Sequence, residues 1–124
     1  MEKENLYNKL VQCLRLVASP YEVQISLLPN FIDIPDEIAL FFDDVFLTIP
    51  QLKIEYLFSP NTLLKINEVN ELFESMSEEK FFWELEELKN NKSWEKSREL
   101  ALSVLKLLNE PYEKPNLDFI TWVK

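Results

Sequence analysis

The sequence contains no glycine and no histidine among its 124 residues. Without glycine, the chain lacks the loops whose backbone N–H groups closely approach a nucleotide phosphate, so Walker and dinucleotide-binding motifs are excluded. Without histidine, it lacks the most frequent general base near neutral pH and the most frequent transition-metal ligand. Triad hydrolases of the usual kind and histidine-ligated zinc sites are therefore excluded as well. We expect no catalytic residue, no cofactor and no enzymatic activity.

Cysteine and arginine are scarce. Cys13 is the single cysteine, so it forms no internal disulfide, and without a histidine partner we interpret it as a small buried side chain. Arg15 and Arg98 alone could hold a phosphate in a bidentate fork. With 22 acidic against 13 basic residues the formal charge is −9, which repels a nucleic-acid backbone. We expect no direct nucleic-acid binding; the charge favours encounter with a basic protein, although it also fits a merely soluble one.

Long apolar runs are missing too. Even the stretch from Ile38 to Ile49 is interrupted by Asp43 and Asp44, and no run reaches the roughly 20 residues needed to cross a bilayer. The first residues show neither the basic start nor the apolar stretch of a secretory signal. These features predict a cytoplasmic protein that does not enter a membrane.

Apolar residues are nevertheless abundant, at 47% of the chain, which is enough for one domain with a real core. Their spacing of three and four predicts helices over residues 4–18, 20–28, 35–49, 60–75, 78–90 and 93–108. Residues 51–58 alternate enough for a strand, yet their spacing also suits a helix, which we favour. The prediction is an all-α fold: a compact single-domain bundle of about six helices over residues 1–124, with a proline-containing C-terminal tail, 110–124, packing on it.

Serine, aspartate and asparagine residues mark the predicted helix ends. The expected starts are Ser19, Asp33, Ser59, Ser77 and Ser93, since short polar side chains accept hydrogen bonds from the first turn of a helix. Asn90 and Asn91 are expected to replace glycine at one helix end, and Asn109 with Pro111 at the last.

The densest group of acids comprises Asp33, Asp36, Glu37, Asp43 and Asp44. Helix capping and the helix dipole explain the first three. A carboxylate-only Mg²⁺ or Ca²⁺ site is conceivable, but EF-hand spacing and a turn glycine are both missing, so we predict no metal. Asp43 and Asp44 lie in mid-helix, where aspartate is a poor helix former. A partner-binding role competes there with a plain solvated face.

The tryptophans and Arg98 have structural and functional interpretations. Trp83, Trp94 and Trp122 are aromatic residues of the kind that anchor interfaces, but core packing is the favoured interpretation. Arg98 is better explained as the ion-pair partner of a local acid such as Glu95 than as a catalytic group.

Several short sequence motifs, or words, occur between about residues 18 and 108. They are Ala18-Ser19-Pro20, Glu22-Val23-Gln24, Leu28-Pro29, Pro35-Asp36-Glu37-Ile38-Ala39, Phe42-Asp43-Asp44, and Trp94 with Arg98 and Ala101. Together they resemble the immunity proteins of bacterial contact-dependent growth inhibition (CDI). The resemblance implies a cytosolic antidote that binds the toxic C-terminal domain of a cell-surface effector, often a nuclease, and blocks its active site. Nuclease surfaces are basic because they hold phosphates, so the charge of this chain agrees. The candidate toxin-binding surface is the acidic group of Asp33, Asp36, Glu37, Asp43 and Asp44.

Three other functions stay open. An acidic nucleic-acid mimic, such as an anti-restriction inhibitor, would use the same five acids against a DNA-binding protein. A helical adaptor would expose a groove for a partner helix. An enzyme would have to rely on paired carboxylates for acid–base chemistry, and no neighbouring group in the sequence fixes their roles.

Overall fold

A computed structural model describes the backbone of residues 2–120 and the side chains of residues 6–80 and 82–120. This part of the chain contains seven α-helices, a short 3-10 helix at Lys80–Trp83, and no strand. The helices are α1 (Glu2–Ala18), α2 (Tyr21–Leu27), α3 (Ile34–Phe46), α4 (Ile49–Glu55), α5 (Pro60–Met76), α6 (Leu85–Asn90) and α7 (Lys92–Leu107). The all-α prediction is confirmed, with seven helices in place of about six. None of the described helices is both long enough and apolar enough to cross a bilayer.

Helix α1 is the centre of the bundle. It packs against α7 and α3, and α7 in turn packs against α5. Every residue from Val11 to Ser19 is buried, including the polar Gln12 and Arg15, so the C-terminal half of α1 is covered on all sides. Cys13 is fully buried in this helix, which confirms its interpretation as a core residue, and burial raises the pKa of its thiol.

A cluster of polar side chains closes the C-terminal end of α1. Gln24, fully buried on α2, donates to the backbone oxygens of Leu16 (3.0 Å) and Val17 (3.4 Å). The Ser19 hydroxyl donates to the Arg15 carbonyl at 2.6 Å. The last carbonyls of a helix have no partner within the helix, and these two side chains supply one.

Arg98 on α7 extends this polar cluster to α6. Its Nε donates to the Ser19 carbonyl (3.1 Å), and its Nη2 donates to Gln24 Oε1 (3.2 Å) and to the Leu88 carbonyl (2.5 Å). Arg98 therefore has the expected structural role, although its hydrogen bonds go to two backbone carbonyls and the Gln24 amide oxygen. Burial has the largest effect on the pKa of Arg98 and lowers it. The negative charge of Glu95 acts in the opposite direction and raises it.

The C-terminal tail crosses the outer side of α1. Arg15 Nε donates to the Pro111 carbonyl at 3.1 Å, and its Nη2 lies 3.8 Å from a carboxylate oxygen of Glu110. Further along, Gln12 Oε1 accepts from the Asn116 backbone N–H at 2.8 Å. These bonds explain why polar residues are buried on α1. Residues 121–124, which include Trp122, lie outside the described residues.

Four of the five predicted caps do not form in the structure: those of Ser19, Asp33, Ser77 and Ser93. Ser77 stands at the C-terminal end of α5, where its hydroxyl donates to the Glu74 carbonyl at 2.6 Å. Ser59 caps α5 as expected, since its hydroxyl accepts from the Thr62 N–H at 3.1 Å. Ser19 does not cap α2, because its hydroxyl is already bonded back to α1. Asn91, and not Ser93, caps α7: its side chain accepts from the Ser93 N–H at 2.8 Å.

Two predicted helix spans also need correction. Helix α3 ends at Phe46 and not near residue 49, because a short turn separates it from α4, which has proline in its first turn. The helix predicted over 78–90 is divided into the 3-10 helix and α6. The favoured helical interpretation of 51–58 is confirmed for residues 51–55 by α4, whereas residues 56–58 lie in the turn that follows it.

Positive φ angles occur at two described positions. Asn109, with φ of 59°, ends α7 as predicted, whereas Asn91 has an extended backbone. Leu57, with φ of 52°, follows α4, and a branched side chain is costly in this region, by about 1 to 2 kcal/mol. A chain without glycine therefore places leucine at one such turn.

Replacing Arg98 by leucine should lower the free energy of unfolding by about 3 kcal/mol, because two carbonyls and the Gln24 amide oxygen lose a charged donor in a partly buried place. Urea denaturation followed by circular dichroism measures this loss. Lys96→Ala, an exposed change on the same helix, is the control and should stay within about 0.5 kcal/mol of wild type. Equal stabilities of the Arg98→Leu variant and the control would contradict the structural role.

Candidate partner-binding face

Helix α3 carries four of the five acids that the sequence singled out, and the fifth, Asp33, stands at its N-cap position. Its buried side consists of Ile34, Ile38, Phe42 and Val45, and it packs against α1 on one flank and α5 on the other. Phe41 is half-buried at the edge of this side. Packing of this side turns the acids of α3 toward the two flanking surfaces and toward solvent.

The acids of α3 fall into two rows. Asp36 and Asp43 line a groove beside α5, whereas Glu37 and Asp44 line a cavity beside α1 and the tail. Within each row the two residues are seven positions apart, which is two turns of helix and places them on one line. The neighbours Asp43 and Asp44 therefore face different surfaces, a separation that grouping them in the sequence did not predict.

Leu40 forms the crest between the two rows and lines both concave surfaces. Its side chain is 55% exposed, and Leu47, seven residues further, is 71% exposed. A single exposed leucine is ordinary on a protein surface. Two of them in line, with carboxylates on either side, form an apolar strip with an acidic rim, which we call the α3 ridge (Asp36, Glu37, Leu40, Asp43, Asp44 and Leu47).

Like charges crowd at the start of the α3 ridge. Partial burial, together with a hydrogen bond that the protonated Asp36 carboxyl donates to Asp33 and with the charges of Asp33 and Glu37, raises the pKa of Asp36 to about 6. Asp33 stands at the N-cap position of α3, but its side chain makes no capping hydrogen bond. The predicted capping role of Asp33 is therefore wrong, since its carboxyl group is paired with Asp36.

The groove beside α5 has a volume of about 440 Å³. Its α5 wall carries Asn70 and Glu74, so a third carboxylate faces Asp36 and Asp43 across it. Among the described residues that line it, none is basic. Glu74 and Asn70 were not predicted at this site because the pairing of α3 with α5 does not follow from the spacing of residues within either helix.

The cavity beside α1 has a volume of about 510 Å³ and a different chemistry. Lys9 of α1 stands opposite Glu37 and Asp44, and Phe119 of the tail packs near Phe41, with ring centroids 6.1 Å apart. A lysine and two carboxylates share this cavity. Its charge is therefore partly balanced within the protein.

The two described tryptophans lie at different depths. Trp94 is fully buried, and its indole N–H donates to the Phe82 carbonyl at 2.8 Å, which confirms core packing. Trp83 is half-buried, donates to the Met76 carbonyl at 3.1 Å, and lines the groove beside α5. An aromatic surface is thus accessible at the acidic groove.

No protein-family model, curated protein or solved structure matches this chain significantly. Among the described side chains, no three acids or cysteines stand close enough together to hold a metal ion. The function must therefore be argued from the α3 ridge and its chemistry.

Replacing Asp36 by asparagine should raise the melting temperature by roughly 2 °C at pH 7.5. The folded-state pKa of about 6 lies above the ordinary value of 3.8, so the Asp36 contribution to stability is fully present below pH 3.8 and is lost as the pH rises through 6. The gain from the substitution should therefore shrink as the pH falls through 6 and vanish near pH 4. Thermal melts in matched buffers test this.

Asp43→Asn is the matched control, because it makes the same chemical change on the same helix away from Asp33 and Glu37. It should give a smaller gain than Asp36→Asn. A gain of equal size in both variants would mean that net charge alone, and not crowding at the start of α3, destabilises the fold.

Proposed function

We propose that this protein is an immunity protein that binds and neutralises the toxic C-terminal domain, a nuclease, of a contact-dependent growth inhibition effector. It would act in the cytoplasm, by binding alone, without catalysis, cofactor or metal, and without contacting nucleic acid or membrane. The partner is a basic domain.

The observation that carries the proposal is the α3 ridge. Exposed Leu40 and Leu47 stand between carboxylates on a rigid helix that is packed on two sides. Protein interfaces combine an apolar centre with a polar rim. Carboxylates on the rim attract a basic partner over long range and raise the association rate.

The resemblance of the short sequence motifs to CDI immunity proteins supports the identity of the partner. Two of them, Pro35-Asp36-Glu37-Ile38-Ala39 and Phe42-Asp43-Asp44, form most of the α3 ridge. The motif that contains Gln24 and the residue set that contains Arg98 come together in the buried polar cluster at the end of α1. These four motifs thus lie either on the α3 ridge, which is the proposed binding surface, or in the buried polar cluster, which is structural.

Expression of the toxic domain encoded beside this gene tests the proposal. Co-expression with this chain should restore growth, and the two proteins should co-purify as a complex with its nuclease activity suppressed. Rescue without a complex, or a complex only with a host DNA-binding protein, would contradict the proposal; the second result would identify a nucleic-acid mimic instead.

Reversing Asp43 and Asp44 to lysine should reduce the association rate at least tenfold at low salt, because exposed interface charges act mainly through steering. Stopped-flow fluorescence at two ionic strengths measures the rate. The melting curve should change little, since exposed substitutions usually alter stability by about 0.5 kcal/mol or less.

The control reverses Glu86 and Glu99, exposed acids on α6 and α7, and so makes the same change in net charge. It should reduce the rate much less. If the control pair lowers the rate as much as the α3 pair, steering would come from overall charge and the α3 ridge would not be the interface.

A further inference from the structure

The groove between α3 and α5 has acidic rims and an aromatic floor. Asp36 and Asp43 stand on one rim and Glu74 on the other. The aromatic side chains that line it are Trp83, which is half-buried and accessible, and Phe42 and Phe73, which are buried and form its floor. Carboxylates above aromatic rings match a side chain that has both a flat cation and an apolar stem.

The floor of the groove is a rigid aromatic cluster. The rings of Phe42 and Phe73 meet edge to face with centroids 5.5 Å apart, and Phe73 and Trp83 both contact the buried Trp94 at 5.6 Å. Trp83 is also fixed by the hydrogen bond that its indole N–H donates to the Met76 carbonyl at 3.1 Å. The groove is therefore preformed, and little ordering is needed on binding.

We propose that the groove between α3 and α5 receives an arginine side chain from the basic partner, with Asp36, Asp43 and Glu74 around its guanidinium. The identity of the partner rests on the proposed function. Arginine fits better than lysine because a guanidinium stacks on aromatic rings and donates in a planar fork to carboxylates. A nuclease that holds phosphates with such an arginine would lose it to the groove.

Two observations favour this groove over the neighbouring cavity. Lys9 lines the cavity beside α1 and would repel an incoming cation, whereas the described lining of the α3–α5 groove contains no basic side chain. Asp36 lies at this groove, and burial, followed by the hydrogen bond to Asp33 and the charges of Asp33 and Glu37, raises its pKa, so its ionised form is unfavourable in the free protein. A bound cation relieves that repulsion.

A short arginine peptide tests the groove without the toxin. An acetylated, amidated tetra-arginine is titrated into the ¹⁵N-labelled full chain at low salt. The signals of the Trp83 indole N–H and the Asn70 side-chain amide should shift, because both residues line the groove. Shifts confined to residues beside Lys9, or an unchanged Trp83 signal up to millimolar peptide, would overturn the proposal.

Two double variants locate the binding charge. Asp36→Asn with Asp43→Asn should weaken peptide binding about tenfold, because both rim carboxylates on α3 are lost. Glu37→Gln with Asp44→Asn removes the same charge from the same helix and should weaken it less than about twofold. Equal effects, or the reverse order, would show that the peptide senses the whole acidic helix and would overturn the proposal.

A third variant tests entry into the groove and not attraction alone. Ala39→Leu keeps every carboxylate but narrows the groove that Ala39 lines, and leucine is a good helix former. Peptide binding should weaken several-fold. Unchanged binding, in a variant whose melting curve matches wild type, would mean that the cation stays on the rim and would overturn the proposal.

The same variants separate this proposal from the proposed function. If the Asp36/Asp43 variant still neutralises the toxic domain with unchanged affinity, the groove proposal fails while the immunity function stands. If the peptide binds the groove but the toxic domain neither binds nor is neutralised, the immunity function fails while the arginine groove stands.

Discussion

The carbonyl groups at the C-terminal end of α1 must find hydrogen-bond donors in a chain without glycine. Glycine usually ends a helix by turning the backbone into the left-handed region, where the following N–H groups bond back. Here side chains supply the donors instead, because Gln24 and Ser19 bond to α1, and Arg98 joins Ser19, Gln24 and Leu88. Because one arginine connects α1, α2, α6 and α7, the arrangement of the bundle depends on it.

The position of α3 follows from that bundle and determines the chemistry of the surface. Packed between α1 and α5, the helix can bury only one side, so its acids lie along the two flanks. Their mutual repulsion is unfavourable for the isolated protein, as the raised pKa of Asp36 indicates. A basic partner would remove that repulsion on binding. The stability that the free protein loses through Asp36 would thus contribute to the affinity for the partner, a relation common at functional sites.

Local patterns predicted the helices well and their contacts poorly. Apolar spacing and proline predicted the all-α fold, the Ser59 cap and the end of α7 at Asn109, because these features depend on neighbouring residues. Ser19 and Asp33 resembled caps but bond elsewhere, since each has a tertiary or side-chain partner that the local pattern does not show. Asp43 and Asp44 were grouped as neighbours, yet helix geometry separates them. Glu74 came to the groove only through the packing of α5 on α3.

The central claim is that the α3 ridge forms the contact with a basic partner. Zero-length carbodiimide cross-linking of the complex with the toxic domain, followed by peptide mass spectrometry, tests it most directly, because such cross-links join only a carboxylate and a lysine in contact. The account predicts cross-links from the α3 peptide through Glu37 and Asp44, the ridge carboxylates that do not line the arginine groove. Cross-links confined to the acids of α6, α7 or the tail would contradict it.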